Sequence, residues 1–363
     1  MRLRFITSTP MNVFAGSGTF VSITRLAEAV RAFGACVDLV IPRLKFPIYT
    51  AQRILFNQML RFRASDPCDI TVGFDMDGYT VAKSGQGRHV AAIKGVIADE
   101  MRFESGVTRA TMRWQARCER LHVHRADLVS TTSRYAAQRI QELYGLTTAP
   151  SIVPELIDLT AWRSMLDDNP AQSEPGQFVV LSVCRFYPRK RLHVLLGAAE
   201  RLRPRIPGLQ VRIVGGGPES ARLHRIDRER GLQGTVVWRE NITQLELMRE
   251  YNRCHVFCLP SVQEGFGLVF LEAMAAGKAI VAARSGAAPE VVPHGLLVEP
   301  DDEEALVEGI FSLYQESDLR QRLVSRGLEW VRRFDAPAVA RMFMDTIVPL
   351  ASPAYVWPTA HVF

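Results

Sequence analysis

The sequence of 363 residues contains no apolar run that approaches the roughly 18 residues needed to cross a bilayer. Its first residues, MRLRFITSTPMNVFAG, lack the apolar core of a secretory signal. From these two absences we expect a protein that stays in the cytoplasm.

Cysteine pairs are also missing. The six cysteines are scattered singly, without a CxxC pair of the kind that binds zinc or forms a redox couple. Cys254 and Cys258 would share one face of a strand, but at about 13 Å apart they would be too distant for a disulfide. We expect reduced side chains in the core and no metal site.

Acidic residues are in the minority, 38 against 44 Lys and Arg, which gives a formal net charge of +6. This balance suits an anionic ligand, a nucleic acid or an acidic lipid surface. The basic residues are dispersed and no aromatic platform motif accompanies them, so nucleic-acid binding is not favoured. With 47% hydrophobic and 23% charged residues, the composition is that of a globular chain of about two domains.

Two βαβ units are predicted, and each opens a domain. Residues 1–42 predict a strand, a glycine-bearing loop, a helix and a second strand, and residues 178–216 repeat this order. We therefore predict an α/β protein with two Rossmann-like, doubly wound parallel sheets, which bind ligands at the carboxyl ends of their strands. The predicted parts of the chain are 1–166, a polar linker at 167–177, 178–333, and a C-terminal segment, 334–363, that returns to the first domain.

The richest motif is PSVQEGFGLVFLEAMAAGKAIVAA at 260–283. It predicts a strand that ends near Leu259, a tight loop, and a helix that begins near Leu268. Gly265 and Gly267 allow the backbone to approach a ligand closely. The unpaired N–H groups at the start of the helix would form an anion site.

Charged side chains flank this anion site. Glu264 lies in the loop, where it would face whatever the anion is attached to. Glu272 lies about one and a half turns into the helix, where a carboxylate can bind a pair of hydroxyls. In SVCRFYPRKRLHVLL, Arg185 and Lys190 flank a short loop directly after a strand. Two cations there can clamp a diphosphate and neutralise the charge that builds up as it leaves, in place of a divalent metal.

The order of these motifs resembles that of the family-4 retaining glycosyltransferases. Lys190 follows Arg185 by five residues, and VGGGPE, EGFGLVFLEAMAAG and LLVEPDD then follow in the family's order. Glu264 and Glu272 have the family's two-glutamate spacing. The resemblance implies a GT-B fold, in which two Rossmann-like domains face each other across a cleft, the first on the acceptor side and the second binding the nucleotide sugar. It also implies an enzyme that transfers the sugar of a nucleoside diphosphate sugar to an acceptor hydroxyl.

Roles for single residues follow from the resemblance. The catalytic residues would be Arg185 and Lys190, on the diphosphate, and Glu264, on the donor sugar. Glu272 would bind the ribose, and Gly18 would approach the donor from the first domain. The implied reaction retains the anomeric configuration without a metal or a further cofactor, and the departing phosphate takes the acceptor proton. The implied donor-binding residues are Gly18, Gly265, Phe266, Gly267, Leu268 and Glu272.

Some positions depart from the family's pattern. Arg191 and Glu240 stand where the family often has glycine, the second of them near the nucleobase. Lys94 occupies a strand end where relatives often carry a histidine near the reacting sugar, so we expect it on the acceptor side. The DxD spelling of FDMDGY is typical of metal-dependent transferases of another fold. In a doubly wound chain we expect Asp75 and Asp77 to line the acceptor side or to cap a turn.

Two other patterns were alternatives to this interpretation. Gly16 and Gly18, with Asp38, resemble the GxGxxG fingerprint of nicotinamide-binding domains, but the third glycine is missing and Asp38 lies inside its strand. His122 and His124 lie at a helix end without a third ligand, as structural histidines do.

The stretch 43–63 is basic and amphipathic. From Leu39 to Ser65 no acid occurs, and arginine and lysine alternate with large apolar side chains. The pattern is typical of a helix on an anionic membrane surface, which would place the protein at the inner face of a membrane. A helix that packs on its domain with its arginines in water gives the same pattern.

The sequence therefore predicts a retaining glycosyltransferase whose acceptor is a glycan, a lipid-linked molecule or a small molecule. Two alternatives share the motifs. One is a sugar-nucleotide-modifying enzyme of the same fold, such as an epimerase, which needs no acceptor. The other is a catalytically silent nucleotide-sugar-binding module, which would not hydrolyse the donor. The motifs leave the donor base, the sugar and the oligomeric state open.

Overall fold

The computed structural model describes residues 1–10, 17–43, 48–62, 67–83 and 87–351. The chain divides into two compact units, one formed by Met1–Leu156 with the chain from Ala336 onward, the other by Ile157–Asp335. Each unit contains a six-stranded sheet whose paired strands are all parallel, with flanking helices. The predicted α/β class with two doubly wound sheets is confirmed.

The first unit opens with the predicted βαβ order. Its elements are β1 (Arg2–Ile6), α1 (Ser17–Ala32), β2 (Cys36–Val40), α2 (Tyr49–Leu60), β3 (Ile70–Phe74), β4 (Arg88–Ile93), α3 (Ile97–Glu100), α4 (Gly106–Arg125), β5 (Leu128–Thr131), α5 (Arg134–Tyr144) and β6 (Ser151–Ile152). The strand order is β2-β1-β3-β4-β5-β6. Every residue of β3 is buried, as expected for a strand covered on both faces of a parallel sheet.

The second unit repeats the pattern. Its elements are α6 (Leu159–Asp167), β7 (Phe178–Arg185), α7 (Leu192–Leu202), β8 (Leu209–Gly216), α8 (Ser220–Glu229), β9 (Val236–Arg239), α9 (Gln244–Arg253), β10 (Val256–Leu259), α10 (Leu268–Ala275), β11 (Ala279–Ala283), α11 (Ala288–Val291), β12 (Leu296–Val298), α12 (Glu303–Gln315) and α13 (Ser317–Trp330). The strand order is β12-β11-β10-β7-β8-β9. A last helix, α14 (Ala336–Ala351), lies in the first unit.

The helix α6 lies in the second unit, although the sequence analysis placed the end of the first domain at residue 166. Trp162 of α6 is buried and packs edge-on against Tyr251 of α9, with 5.5 Å between ring centroids. Asn252 donates hydrogen bonds to Leu166 O at 2.7 Å and to Asn169 O at 2.8 Å. These contacts attach the start of the predicted linker to α9, so the units divide at Leu156 instead.

Within the described part of the chain, none of the helices combines the length and the apolar character that crossing a membrane requires.

Candidate functional site

Doubly wound sheets bind ligands between two neighbouring strands from which the chain runs on toward opposite edges of the sheet. In the second unit this switch point lies between β7 and β10, because the chain continues from β7 to β8 on one side and from β10 to β11 on the other. The loops that leave the carboxyl ends of these two strands carry Arg185 and Lys190, and Glu264. The fold therefore brings two motifs that are far apart in the sequence to one edge of the sheet.

Lys190 and Glu264 form an ion pair at this switch point. Lys190 Nζ lies 2.5 Å from Glu264 Oε1, and the two side chains are only 12% and 8% exposed. Lys190 ends a 3-10 turn, Pro188–Lys190. The backbones of the two loops are also joined, since Val262 N donates to Arg189 O at 2.9 Å. The cation and the carboxylate that the sequence predicts on separate loops thus act as one charged pair.

The backbone of Glu264 is held from the β11 side. Ala287 N donates to Glu264 O at 3.0 Å, and Ser285 Oγ donates to Val262 O at 2.7 Å. Gly286 has a φ of 59°, and a Cβ there would lie 2.7 Å from Glu264 N. Only glycine fits such a close approach in a left-handed conformation. The direction of the Glu264 side chain is therefore set before any ligand binds.

The helix α10 begins at the predicted glycine loop. Gly267 has a φ of 93° and immediately precedes Leu268, and a Cβ on Gly267 would lie 2.6 Å from the ring of Phe270. Phe266 is buried, whereas Gly265 and Leu268 are partly exposed. The first N–H groups of a helix have no partner within the helix, and its N-terminus carries a partial positive charge. The loop therefore presents backbone donors beside the Lys190–Glu264 pair.

Glu272 is held by a partner that the sequence analysis missed. It is the fifth residue of α10, and its Oε2 accepts a hydrogen bond from Tyr251 OH at 3.0 Å. Tyr251 is buried in α9, a helix that begins with a capping box between Thr243 and Glu246. The apolar period of α9 predicts that Tyr251 is buried, but no sequence signal shows where its hydroxyl points.

Arg185 and Arg191 lie on either side of the same loop. Arg185 is the last residue of β7 and pairs in the sheet with Gly216 of β8. Arg191 has a φ of 54°, a conformation that favours glycine, which explains why the resembling family often has glycine there. Arg191 Nε lies 2.8 Å from Asp301 Oδ1. This ion pair stabilises the arginine in its strained position.

Two buried polar atoms follow β10 without a hydrogen-bond partner among the described residues, Ser261 Oγ and Gln263 Oε1. Unpaired buried polar groups are rare in native proteins, and each calls for an explanation such as a ligand or an ordered water. Burial raises the pKa of the Cys184 thiol, close to the charges of Lys190 and Glu264, to about 12. That thiol therefore stays protonated and offers no nucleophile.

The first unit has its own switch point, between β1 and β3, and Asp77 lies there. Asp77 is fully buried. Its carboxylate accepts hydrogen bonds from Ser8 N at 2.6 Å, Ser8 Oγ at 2.7 Å and Asn57 Nδ2 at 2.9 Å. Arg53 of α2 adds an ion pair at 3.4 Å. Of the two roles predicted for Asp77, lining the acceptor side or capping a turn, the first does not fit a carboxylate without exposed surface, and in the structure Asp77 anchors α2.

Asp75 closes a turn between β3 and β4. It has a φ of 54°, and its Oδ1 accepts hydrogen bonds from Lys94 N at 2.8 Å and Gly95 N at 3.3 Å. Burial raises the pKa of the Asp75 carboxyl to about 6. The Asp75 carboxylate thus joins the start of the turn after β3 to the chain that follows β4.

The two histidines of the LHVHRAD motif make internal hydrogen bonds. His122 Nε2 lies 2.7 Å from His89 Nε2, and His122 Nδ1 lies 2.5 Å from Asp75 O. A carbonyl only accepts, so His122 donates through Nδ1 and accepts at Nε2 from His89. His124 Nε2 donates to Tyr144 O at 2.8 Å. Across the described ranges, no three His, Cys, Asp or Glu side chains are placed to bind one metal ion.

Lys94 is joined to a second residue that the sequence analysis missed. Its Nζ lies 3.0 Å from Glu155 Oε2, and both side chains are 7% exposed. Ser22 Oγ of α1 donates to the same carboxylate. Gly18 is exposed in the first turn of α1, one turn before Ser22. Gly16 lies outside the described residues.

Comparisons with known proteins relate the second unit to glycosyltransferases. Residues 166–330 match the family model "Glycosyl transferases group 1". This part of the chain is similar to that family. A GDP-mannose-dependent alpha-(1-6)-phosphatidylinositol monomannoside mannosyltransferase of Mycolicibacterium smegmatis is 31% identical over 56% of this chain and 57% of its own length. A D-inositol 3-phosphate glycosyltransferase of Rhodococcus erythropolis is 34% identical over 48% of this chain and 42% of its own. The chain thus spans about half the length of these relatives.

Solved structures show the fold of the whole chain. Sucrose-phosphate synthase of Thermosynechococcus elongatus aligns with a TM-score of 0.81 at 20% sequence identity. The alignment covers 97% of this chain and 100% of the synthase chain. HepE of Anabaena, in complex with UDP and glucose, has a TM-score of 0.72 at 17% identity over 96% of this chain and 99% of its own. The neighbours are GT-B glycosyltransferases, so the predicted GT-B fold is confirmed.

Proposed function

We propose that the protein is a retaining glycosyltransferase that moves a sugar from a nucleoside diphosphate donor to an acceptor hydroxyl without a metal ion. The observation that carries the proposal is the ion pair of Lys190 and Glu264 at the switch point of the second unit, beside the start of α10. The match of residues 166–330 to glycosyl transferases group 1 supports it.

The cations would act on the leaving group. When the bond between the anomeric carbon and the phosphate oxygen breaks, negative charge builds up on the diphosphate. Lys190, Arg185 and the first N–H groups of α10 would stabilise that charge. Positive charge fixed by the fold in this way does the work that a divalent ion does in metal-dependent transferases.

The carboxylates would position the donor. Glu264 would bind hydroxyls of the donor sugar, and Glu272 would bind those of the ribose. The acceptor hydroxyl then attacks the anomeric carbon from the face on which the diphosphate leaves, and the departing phosphate takes the acceptor proton. Attack on that face retains the anomeric configuration.

An assay on a panel of donors tests the proposal. UDP-, GDP- and ADP-sugars are incubated with the protein, with and without EDTA, while the released nucleoside diphosphate is followed. Release with at least one donor, unchanged by EDTA, is expected, and the anomeric configuration of the product is read by NMR. An altered donor sugar without release would indicate an epimerase, and binding without turnover would indicate a silent module.

Both curated relatives are named for acceptors that contain inositol, one of them a lipid, and the names do not fix the donor base. The mycobacterial relative is named as acting on phosphatidylinositol monomannoside with GDP-mannose, whereas HepE was solved with UDP. We propose that this chain acts on a lipid-linked acceptor and contacts an anionic membrane surface through α2.

The orientation of α2 supports membrane contact. Its polar residues Arg53 and Asn57 point inward, where Asp77 binds both. Four exposed apolar side chains, two in α2 and two just beyond its ends, follow one another at spacings of seven, four and three residues, which place them along one stripe. These are Ile48, 65% exposed, Leu55, 41%, Met59, 54%, and Phe62, 86%.

Positive charge borders this apolar stripe. Arg61 is exposed directly before Phe62, and Arg43, five residues before Ile48 in the sequence, is also exposed; the sequence has no acid between Leu39 and Ser65. Lys45, Phe46 and Arg63, which the sequence analysis included in the stretch, lie outside the described residues. An apolar face bordered by cations is what an anionic lipid surface binds.

Sedimentation with liposomes tests this contact. We expect the protein to pellet with anionic vesicles at low salt, and to remain in solution with zwitterionic ones. Met59→Glu with Phe62→Glu should abolish pelleting, while Leu121→Glu, on an exposed apolar residue of α4 in the same unit, should not. No pelleting of the unchanged protein, or equal loss in both variants, would contradict the proposal.

A further inference from the structure

The carboxyl end of β9 brings an acidic residue to the edge of the sheet that holds the Lys190–Glu264 pair. Arg185 of β7 pairs with Gly216 of β8, and Val214 of β8 pairs with Arg239 of β9. Glu240 directly follows β9. Neighbouring strands are about 4.8 Å apart, so Glu240 follows a strand two spacings, or about 10 Å, from β7. A nucleotide whose diphosphate lies at the switch point can extend its base over that distance.

The two directions along this edge are not equivalent. On the β11 side, Gly286 and Ala287 pack directly on the backbone of Glu264. On the β8 side, the first atom that a Cβ on Gly216 would meet is Glu240 Oε2, at 3.6 Å. Backbone therefore fills the β11 side, whereas beside Gly216 the nearest atom that a Cβ would meet is a carboxylate oxygen of Glu240.

The Glu240 carboxylate is held in place. His224 Nε2 donates to Glu240 Oε1 at 2.7 Å, and the two side chains are each one-third exposed. The His224 ring packs on Trp238, with 4.4 Å between centroids, and Trp238 Nε1 donates to Asp227 Oδ2 at 3.0 Å. The imidazole that binds the carboxylate is thus itself held by an indole with a fixed hydrogen bond.

A fixed carboxylate distinguishes the bases by their hydrogen-bond donors. Guanine presents two adjacent donors, N1–H and the N2 amino group, which match the acceptor pattern of a carboxylate. Uracil presents one N–H between two carbonyl oxygens, which a carboxylate repels. Adenine and cytosine each present an amino group beside a ring nitrogen that accepts. Charge-assisted pairs of this kind are strong and selective.

We infer that Glu240 selects a guanine nucleotide, with His224 as the residue that positions its carboxylate. The inference rests on the proposed function, since it concerns the base of the proposed nucleoside diphosphate donor. It assigns a role to a position at which this chain departs from the glycine common in the family that it resembles. The substrate class is then a guanosine diphosphate sugar.

Calorimetric titration with free nucleotides tests this inference. GDP, IDP and UDP are titrated into the full chain, into Glu240→Gln, and into Glu229→Gln as a control on an exposed glutamate of α8 in the same unit. IDP keeps the N1–H of guanine but lacks the N2 amino group. We expect GDP to bind the unchanged protein about tenfold more tightly than IDP. It should bind about a hundredfold more tightly than UDP.

The variants give the decisive comparison. Glu240→Gln should weaken GDP binding by about tenfold or more, remove the difference between GDP and IDP, and leave UDP binding unchanged. Unchanged UDP binding also shows that the variant is folded. Glu229→Gln should behave as the unchanged protein. Equal binding of GDP and UDP to the unchanged protein, or a preference for GDP that survives in Glu240→Gln, would overturn the inference while the proposed function stands. If neither nucleotide binds, both fall.

Discussion

Lys190 and Glu264 reach each other from loops that leave two adjacent strands, β7 and β10, and their charged atoms lie 2.5 Å apart. The pair keeps an ammonium group in a nearly buried position, with its charge balanced, when no anion is bound. In the proposed reaction, the diphosphate binds this ammonium without a rearrangement of the loop. Charge that is preorganised in this way stabilises a transition state more than mobile charge does.

Removing either cation of the diphosphate clamp should slow the reaction. We expect Lys190→Ala and Arg185→Ala each to reduce kcat by about a hundredfold or more, because the charge on the leaving group is greatest in the transition state. Steady-state kinetics with the active donor measures the effect.

Arg189→Ala is the matched control for this experiment. Arg189 is a cation of the same loop, and its guanidinium stacks over the Tyr187 ring at 4.6 Å. Its removal should change kcat by less than a few-fold. Near-normal rates in Lys190→Ala and Arg185→Ala would reject the clamp.

Removing the Glu272 carboxylate should weaken recognition of the ribose hydroxyls. Glu272→Ala should weaken binding of a nucleoside diphosphate. The variant should also bind the 2′-deoxy nucleotide and the ribonucleotide equally tightly, because the carboxylate that binds the ribose hydroxyls is gone. Tyr251→Phe keeps the carboxylate and removes only the hydrogen bond from its hydroxyl, so a smaller loss, about tenfold at most, is expected. Calorimetric titration of both nucleotides into the unchanged protein, Glu272→Ala and Tyr251→Phe measures these affinities. A variant without Glu272 that still prefers the ribo form would place the ribose elsewhere.

The buried pair of Arg53 and Asp77 should carry much of the stability of the first unit. Arg53→Met leaves a buried carboxylate without its cation, which costs about 3–5 kcal/mol of unfolding free energy. Arg88→Met, at an ion pair whose arginine is 59% exposed, should cost less than about 1 kcal/mol. Urea unfolding measures both. Equal losses in Arg53→Met and Arg88→Met would mean that the buried pair contributes no more to stability than the exposed one.

The site of the second unit was predictable because its signals are local. The strand before each loop, the glycines of EGFGLVFLEAMAAG and the cations after β7 are each read within one short stretch, and the parallel topology then brings the stretches to the same edge. The partner of Glu272 was not predictable in this way. Tyr251 reaches it from another helix, and only the packing of α9 on α10 sets where its hydroxyl points.

The first unit shows where sequence patterns mislead. The arginines of 43–63 predict a helix with its cations in water or on lipid, yet Arg53 is buried because Asp77 and Ser8 bind it. Asp77, in turn, belongs to a DxD sequence of the kind that is exposed in metal-dependent transferases. Each residue is unremarkable alone, and the ion pair that makes both of them internal joins positions that are 24 residues apart. Burial of a charge depends on such a partner, which a local pattern does not contain.

The buried histidine pair predicts a dependence of stability on pH. Burial lowers the pKa of His122 to about 4 from 6.5, and lowers that of His89 well below 6.5. Between these values the unfolded chain holds the imidazole proton and the folded chain does not, so the free energy of unfolding falls as the pH falls from 6.5 to 4. For His122 alone the loss at pH 4.5 is on the order of 2–3 kcal/mol. Asp75 acts in the opposite direction, because burial raises its pKa to about 6 and the folded chain keeps its proton there.

A comparison of variants isolates the histidine contribution from that of Asp75. His122→Asn keeps an N–H donor for Asp75 O and cannot titrate. Between pH 7 and pH 4.5 its unfolding free energy should therefore fall by roughly 2–3 kcal/mol less than that of the unchanged protein. His124→Asn, on the exposed face of the same helix, is the control. Urea unfolding at the two pH values gives the difference. If His122→Asn and the unchanged protein lose the same free energy, the imidazole pair is protonated in the folded chain, and its hydrogen bond cannot have the donor and acceptor assigned here.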